Sequence, residues 1–241
     1  MPVFVVTDPA GQREAKPLPS APTPLAEPPS ILSRLRLETR GEHDAVEQLL
    51  DLIGGSLTHE GYRDRLKQFY GFYGPIEQAL RTRCTSGHQR PGRSADVVWS
   101  LAARQALLLR LNKTALLQQD LHHLGVLTGT LPVCSELPPL ETRAEVLGCL
   151  YVLEGATLGG RLITQHVRTT FGITPAAGGS FFEGYGDATG RMWQAMRNLL
   201  ISSAPDTPTG NATVANAIVT FACLRRWCEP DESQSERHRR T

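Results

Sequence analysis

Read for the spacing of its apolar positions, the chain predicts helices and almost nothing else. From Leu32 onward, apolar or small residues recur at Leu35, Thr39, His43, Val46, Leu50 and Ile53, in steps of three and four that trace one face of a helix. The same periodicity predicts helices over 31–52, 59–83, 95–111, 114–124, 141–170, 188–203 and 211–227. Gly87, Pro91 and Gly92 break the chain after the second, Gly125 ends the fourth, and a proline-containing segment over 131–139 leads into the long fifth. Alternating strand patterns are scarce, and the valines fall mostly at helical spacing. The expectation is an all-α fold, a single multi-helix domain over residues 31–228. Residues 1–30 hold eight of the 17 prolines and show no apolar period, so they are expected to be a disordered tail outside the fold. Residues 229–241 read as a polar C-terminal tail.

Composition narrows the class without naming a function. At 241 residues, 40% hydrophobic and 20% charged, the chain can bury one sizeable core. A net charge of +1 gives no reason to expect a nucleic acid or a membrane surface as partner. No apolar run reads as membrane-spanning in the sequence. The start, Met-Pro-Val-Phe-Val-Val-Thr-Asp, lacks the basic region and long apolar stretch of a secretion signal. Five cysteines with no Cys-x-x-Cys pair suit reduced thiols in a cytoplasm, and Cys149 reads as a small buried hydrophobe.

Two stretches carry chemistry. In 36–47, Arg-Leu-Glu-Thr-Arg-Gly-Glu-His-Asp-Ala-Val-Glu, His43 lies on the apolar face and Glu47 one turn beyond it. A metal-ligating imidazole usually gives its other N–H to a carboxylate or carbonyl, which Glu47 supplies directly or through water. A hydrogen-bonded core histidine would satisfy the same pattern. Arg36 and Arg40, on nearby faces, suit the carboxylates of a ligand, or simply solvent. The second stretch, 151–163, puts Gly155, Gly159 and Gly160 inside a predicted helix. Each costs about 1 kcal/mol relative to alanine, so the close approach of a ligand or of another helix must offset the loss. The apolar pattern continues past them, which argues against a helix end. Together the stretches suggest a planar cofactor held between an imidazole and bare backbone. Other sites fare worse. His122 and His123 are adjacent, diverge by about 100° on a helix, and read as surface or capping residues. No strand, glycine-rich loop and helix follow one another as a phosphate site requires.

On these residues the chain resembles the bacterial haem oxygenases, particularly the biliverdin-forming type associated with bacteriophytochromes. Thr39, His43 and Glu47 resemble the proximal helix of that family, and Gly155-Ala-Thr-Leu-Gly159-Gly160 its distal helix. The preceding Leu-Tyr-Val-Leu-Glu-Gly resembles the phytochrome-linked branch. The likeness extends over 31–228, including Asp120-Leu-His-His-Leu-Gly125 and Phe181-Phe182-Glu-Gly-Tyr-Gly186. It implies His43 as the iron ligand with Glu47 behind it, and Arg36, Arg40 and Arg197 near the haem propionates. It assigns Gly155, Gly159, Gly160 and Thr157 to the catalytic distal wall. Ala156 departs from the family, many of whose members have an aspartate there to order water.

The implied activity is oxidative opening of haem b, both cofactor and substrate, to biliverdin, carbon monoxide and ferrous iron. O2 is the co-substrate, and a ferredoxin or flavoprotein reductase supplies the electrons. A bacteriophytochrome is the implied recipient of biliverdin, and the cytoplasm the implied location. The alternatives are a non-catalytic haem-binding or haem-transfer protein, a helical enzyme for another small molecule, and a non-catalytic partner of a photoreceptor.

Overall fold

A computed structural model describes residues 29–85, 99–204 and 206–230. It contains helices α1 (Ile31–Glu38), α2 (Arg40–Leu50), α3 (His59–Thr85), α4 (Leu101–Leu108), α5 (Lys113–His123), α6 (Arg143–Phe171), α7 (Ser180–Glu183), α8 (Thr189–Ser203) and α9 (Thr207–Cys228). A 3-10 turn, Gly186–Ala188, precedes α8. Among the described residues there is no strand, only isolated bridges from Thr174 to Ala177 and Gly178. The all-helical expectation is met.

The predicted helix over 31–52 is two helices. The Thr39 hydroxyl donates to the Leu35 carbonyl at 2.7 Å, and Thr39 itself, at ψ −5°, ends α1 and starts α2. A threonine bonded back to its own helix bends the chain in this way. Helix α2 then stops at Asp51 in the left-handed region, φ 43°, so Ile53 lies beyond the helix and is exposed rather than on its apolar face. Helix α4 begins at Leu101 behind the Ser100 N-cap; residues 95–98 of the predicted helix, Gly87, Pro91 and Gly92 lie outside the described residues, as do 1–28 and 231–241. The last helix starts four residues before its predicted position, because Asp206 accepts from the Thr209 amide at 2.8 Å and caps it. The short α7 has no periodicity to read.

Long helix α6 is the spine. It opens with a reciprocal capping box between Thr142 and Glu145 and closes on Gly172, φ 71°, where a left-handed residue is needed. Gly148 lets α9 approach closely: a Cβ there would collide with the Thr213 carbonyl. Behind it Val146, Leu147, Cys149 and Leu150 are buried against α9 and the body of the bundle. By length and composition α6 is the one described helix able to cross a membrane, which corrects the reading of the sequence alone. Half of its apolar window is already spent in the core.

Helix α3 carries Pro75 in its interior without breaking. Proline leaves the carbonyl four residues back without its helical donor, and that carbonyl, of Gly71, accepts from the Cys134 amide at 2.9 Å. The 131–139 linker is thereby docked onto α3.

Candidate functional site

One deep apolar cavity, of about 280 Å³, opens between α2 and α6 and is closed by α3, α7, α8 and α9. His43 and Glu47 line one side, Gly155, Ala156, Leu158 and Gly159 another, and Phe69, Phe181, Phe182, Trp193 and Phe221 complete it. The hollows of about 550 Å³ near Gln118 and 410 Å³ near Asp64 are open surface depressions, and neither includes His43 or the glycines.

His43 is not a core histidine; its side chain is 50% exposed, at the cavity mouth. Its Nδ1 stands 3.6 Å from both Asp44 Oδ1 and Glu47 Oε2, outside hydrogen-bond reach but within that of their charge. The ring rests edge-on against Phe221, centroids 5.6 Å apart. Phe221 belongs to α9, which also grips α2 through Arg225 Nε donating to Glu42 Oε2 at 3.2 Å. With Nδ1 facing two acids, Nε2 is the nitrogen left for a metal. His43, Asp44 and Glu47 bring their ligand atoms within 4.8 Å of one another, all on exposed side chains.

The three glycines divide into two roles. A Cβ added to Gly155 or Gly159 meets nothing within 4 Å, so both leave open space, and both line the cavity. Gly160 is buried, and a Cβ there would collide with the Phe182 carbonyl. It serves close packing of α6 on α7 rather than the catalytic wall. Thr157 also falls outside the cavity. Its hydroxyl donates to the Glu154 carbonyl at 2.6 Å, and it lines a separate polar hollow with Arg161, Glu183 and Asp187.

None of the three predicted arginines lines the cavity. Burial raises the Tyr151 phenol pKa, opposed by the Thr39 hydroxyl and, more weakly, by the charge of nearby Arg36. Tyr151 lines the cavity and faces Trp193 with centroids 6.0 Å apart. Arg197 follows Trp193 by one turn on α8 and bonds Gln194 at 3.3 Å. Arg36 and Arg197 thus sit near the Tyr151 and Trp193 edge. Arg40 instead pairs with Asp44 at 3.6 Å, 76% exposed, and belongs to the surface. Cys149 is wholly buried, its thiol pushed up to about 12 chiefly by burial, as an inert core residue should be.

Beneath the glycine wall lies a buried ionic cluster that the sequence reading missed. Glu154, immediately before Gly155, accepts hydrogen bonds from Arg110 and, at 2.8 Å, from the Tyr185 hydroxyl. Arg110 also donates to the Met192 carbonyl at 2.9 Å. Lys113 Nζ lies 3.6 Å from Glu154 and 3.9 Å from the centroid of the Tyr185 ring. Burial lowers the Lys113 pKa, and burial plus the Glu154 charge raises that of Tyr185. The one signal was a glutamate inside the apolar run Leu150-Tyr-Val-Leu-Glu154. Nearby, Asp120 accepts from the amides of Ser180 at 2.8 Å and Phe181 at 2.7 Å, which caps α7 and places the Phe181–Phe182 pair.

This architecture, a helical bundle whose apolar cavity separates an imidazole from a stretch of side-chain-free helix, defines a protein shaped to sandwich a flat ligand. The residues fit haem: one ligating nitrogen, open glycine backbone opposite, an aromatic lining, and arginines near one edge. The family profile described as Heme oxygenase matches residues 30–230, and the chain belongs to the haem oxygenase family. Two solved structures share the fold. The NO- and CO-bound heme oxygenase of Neisseria meningitidis is 19% identical, with TM-score 0.61, over 83% of this chain and 92% of that one. Heme oxygenase 2 of Chlamydomonas reinhardtii, without heme, is 16% identical, with TM-score 0.63, over 83% and 96%. A sequence search of curated proteins gave no match.

Proposed function

We propose that this chain is a haem oxygenase that opens haem b to biliverdin, releasing carbon monoxide and ferrous iron, with O2 as co-substrate. The observation that carries the reading is that His43 and the open backbone of Gly155 and Gly159 line the same apolar cavity. Bound haem supplies the iron that activates oxygen and the ring that is cleaved. The protein contributes geometry. His43 would hold the substrate from one side, with Asp44 and Glu47 each 3.6 Å from its Nδ1. Gly155 and Gly159 would leave room on the other side for a diatomic molecule. Arg36 and Arg197 are the residues that would pair with the haem propionates.

Electrons would come from outside, from a ferredoxin or a flavoprotein reductase. A bacteriophytochrome is the proposed recipient of biliverdin, and the cytoplasm the proposed setting. The second reading, a haem-binding or haem-transfer protein without turnover, is favoured by Ala156, which presents only a methyl group to the cavity.

The test is a haemin titration of the purified chain, then addition of an electron donor in air while the visible spectrum is recorded. A stoichiometric Soret band that decays into the broad red absorption of biliverdin is the expected result. A Soret band that persists would replace the oxygenase by the carrier, and no band would overturn both.

A further inference from the structure

The cluster around Glu154 touches the cavity nowhere, yet it ties together chain segments that run directly into the cavity wall. Glu154 directly precedes Gly155. The Met192 carbonyl held by Arg110 directly precedes Trp193, and Tyr185 follows Phe182 by three residues. Stability alone is a poor reason for such a cluster. Burying ion pairs is often no better than burying apolar groups of the same volume. Here Lys113 Nζ and Arg110 Nε are also buried without a hydrogen-bond partner. What the cluster supplies is direction. A carboxylate shared by a guanidinium and a phenol fixes three chain segments in one arrangement, where apolar packing tolerates several. The wall needs such fixing, since two open glycines leave its helix without side chains to hold it.

We infer that Glu154 is a positioning residue: by accepting from Arg110 and Tyr185 it sets where the Gly155–Gly159 backbone and the Phe181–Phe182 turn stand. In doing so it fixes how the face opposite His43 closes over a bound ring. The last statement rests on the proposed function, whereas the placement of the wall does not. Glu154→Gln keeps the size of the side chain but leaves Arg110 and Lys113 without the charge they share. Tyr185→Phe removes a single hydroxyl.

Both variants are tested in the full chain. Amide hydrogen exchange without ligand is expected to quicken roughly tenfold over 155–160 and 181–186 in Glu154→Gln, with 143–150 unchanged. A uniform change along α6, or none, would overturn the inference by making the cluster merely structural. Should Glu154→Gln not fold, Tyr185→Phe decides the point through the same pattern at smaller amplitude. With haemin reduced by dithionite under carbon monoxide, Glu154→Gln is expected to shift or broaden the C–O stretching band, while the Soret band recorded before reduction keeps its position. An unmoved C–O band would remove the link to the bound ring. If the parent protein binds no haemin, the functional reading falls alone, because the exchange pattern is read without ligand.

Discussion

The imidazole of His43 meets solvent over half its surface, which decides what its loss should cost. A half-exposed side chain in edge contact with one phenyl ring contributes little to folding. Replacing it with alanine should therefore keep the melting temperature within about 2 °C of the parent, since about 1 kcal/mol moves a chain of this size by 2–4 °C. The Soret band of an imidazole-ligated haem should vanish with it, and normal turnover in the variant would remove His43 from its role. His43, Glu47, Gly155 and Gly159, which the structure brings to one cavity, stood out in the sequence by marks that packing does not explain: a polar ring on an apolar face and glycines in a helix. Thr157 and Arg40 were misplaced for a simpler reason. Neighbours on a helix point about 100° apart, and sequence proximity to a site residue says nothing about which side a residue takes.

Among the helices, the glycine-bearing half of α6 carries the clearest test. Gly159→Leu should leave helicity intact and fill the cavity, weakening haemin binding by more than tenfold in titration. Gly160→Leu should fail differently, because its side chain would run into the Phe182 carbonyl and push α7 away. Circular dichroism and thermal melting separate the two, and equal behaviour would refute the division of roles. Sequence periodicity placed the long helices well, since their burial repeats over many turns. It missed the break at Thr39, where one hydroxyl bonded to the Leu35 carbonyl ends a helix whose apolar pattern runs on. It missed α7 as well, whose four residues are held by Asp120 from sixty positions away.

For the molecule as a whole, the cavity couples ligand to fold. A ligand that binds only the native state adds about 2.7 kcal/mol at a hundredfold excess over its dissociation constant. By the same scaling this chain should melt about 5–10 °C higher with haemin. No upward shift in the parent, alongside a clear Soret band, would mean that haem sits outside the fold. The buried cluster around Glu154 was beyond reading at this scale, since Arg110, Lys113 and Tyr185 meet it only through folding. The bare stretch at Gly155 and Gly159 has a further consequence for anyone who mutagenises this protein. Alanine fits both positions without a clash and makes a better helix by up to about 1 kcal/mol each. A library selected for heat resistance alone will accumulate these changes and narrow the slot, so the hardiest survivors will be those least able to admit a ring.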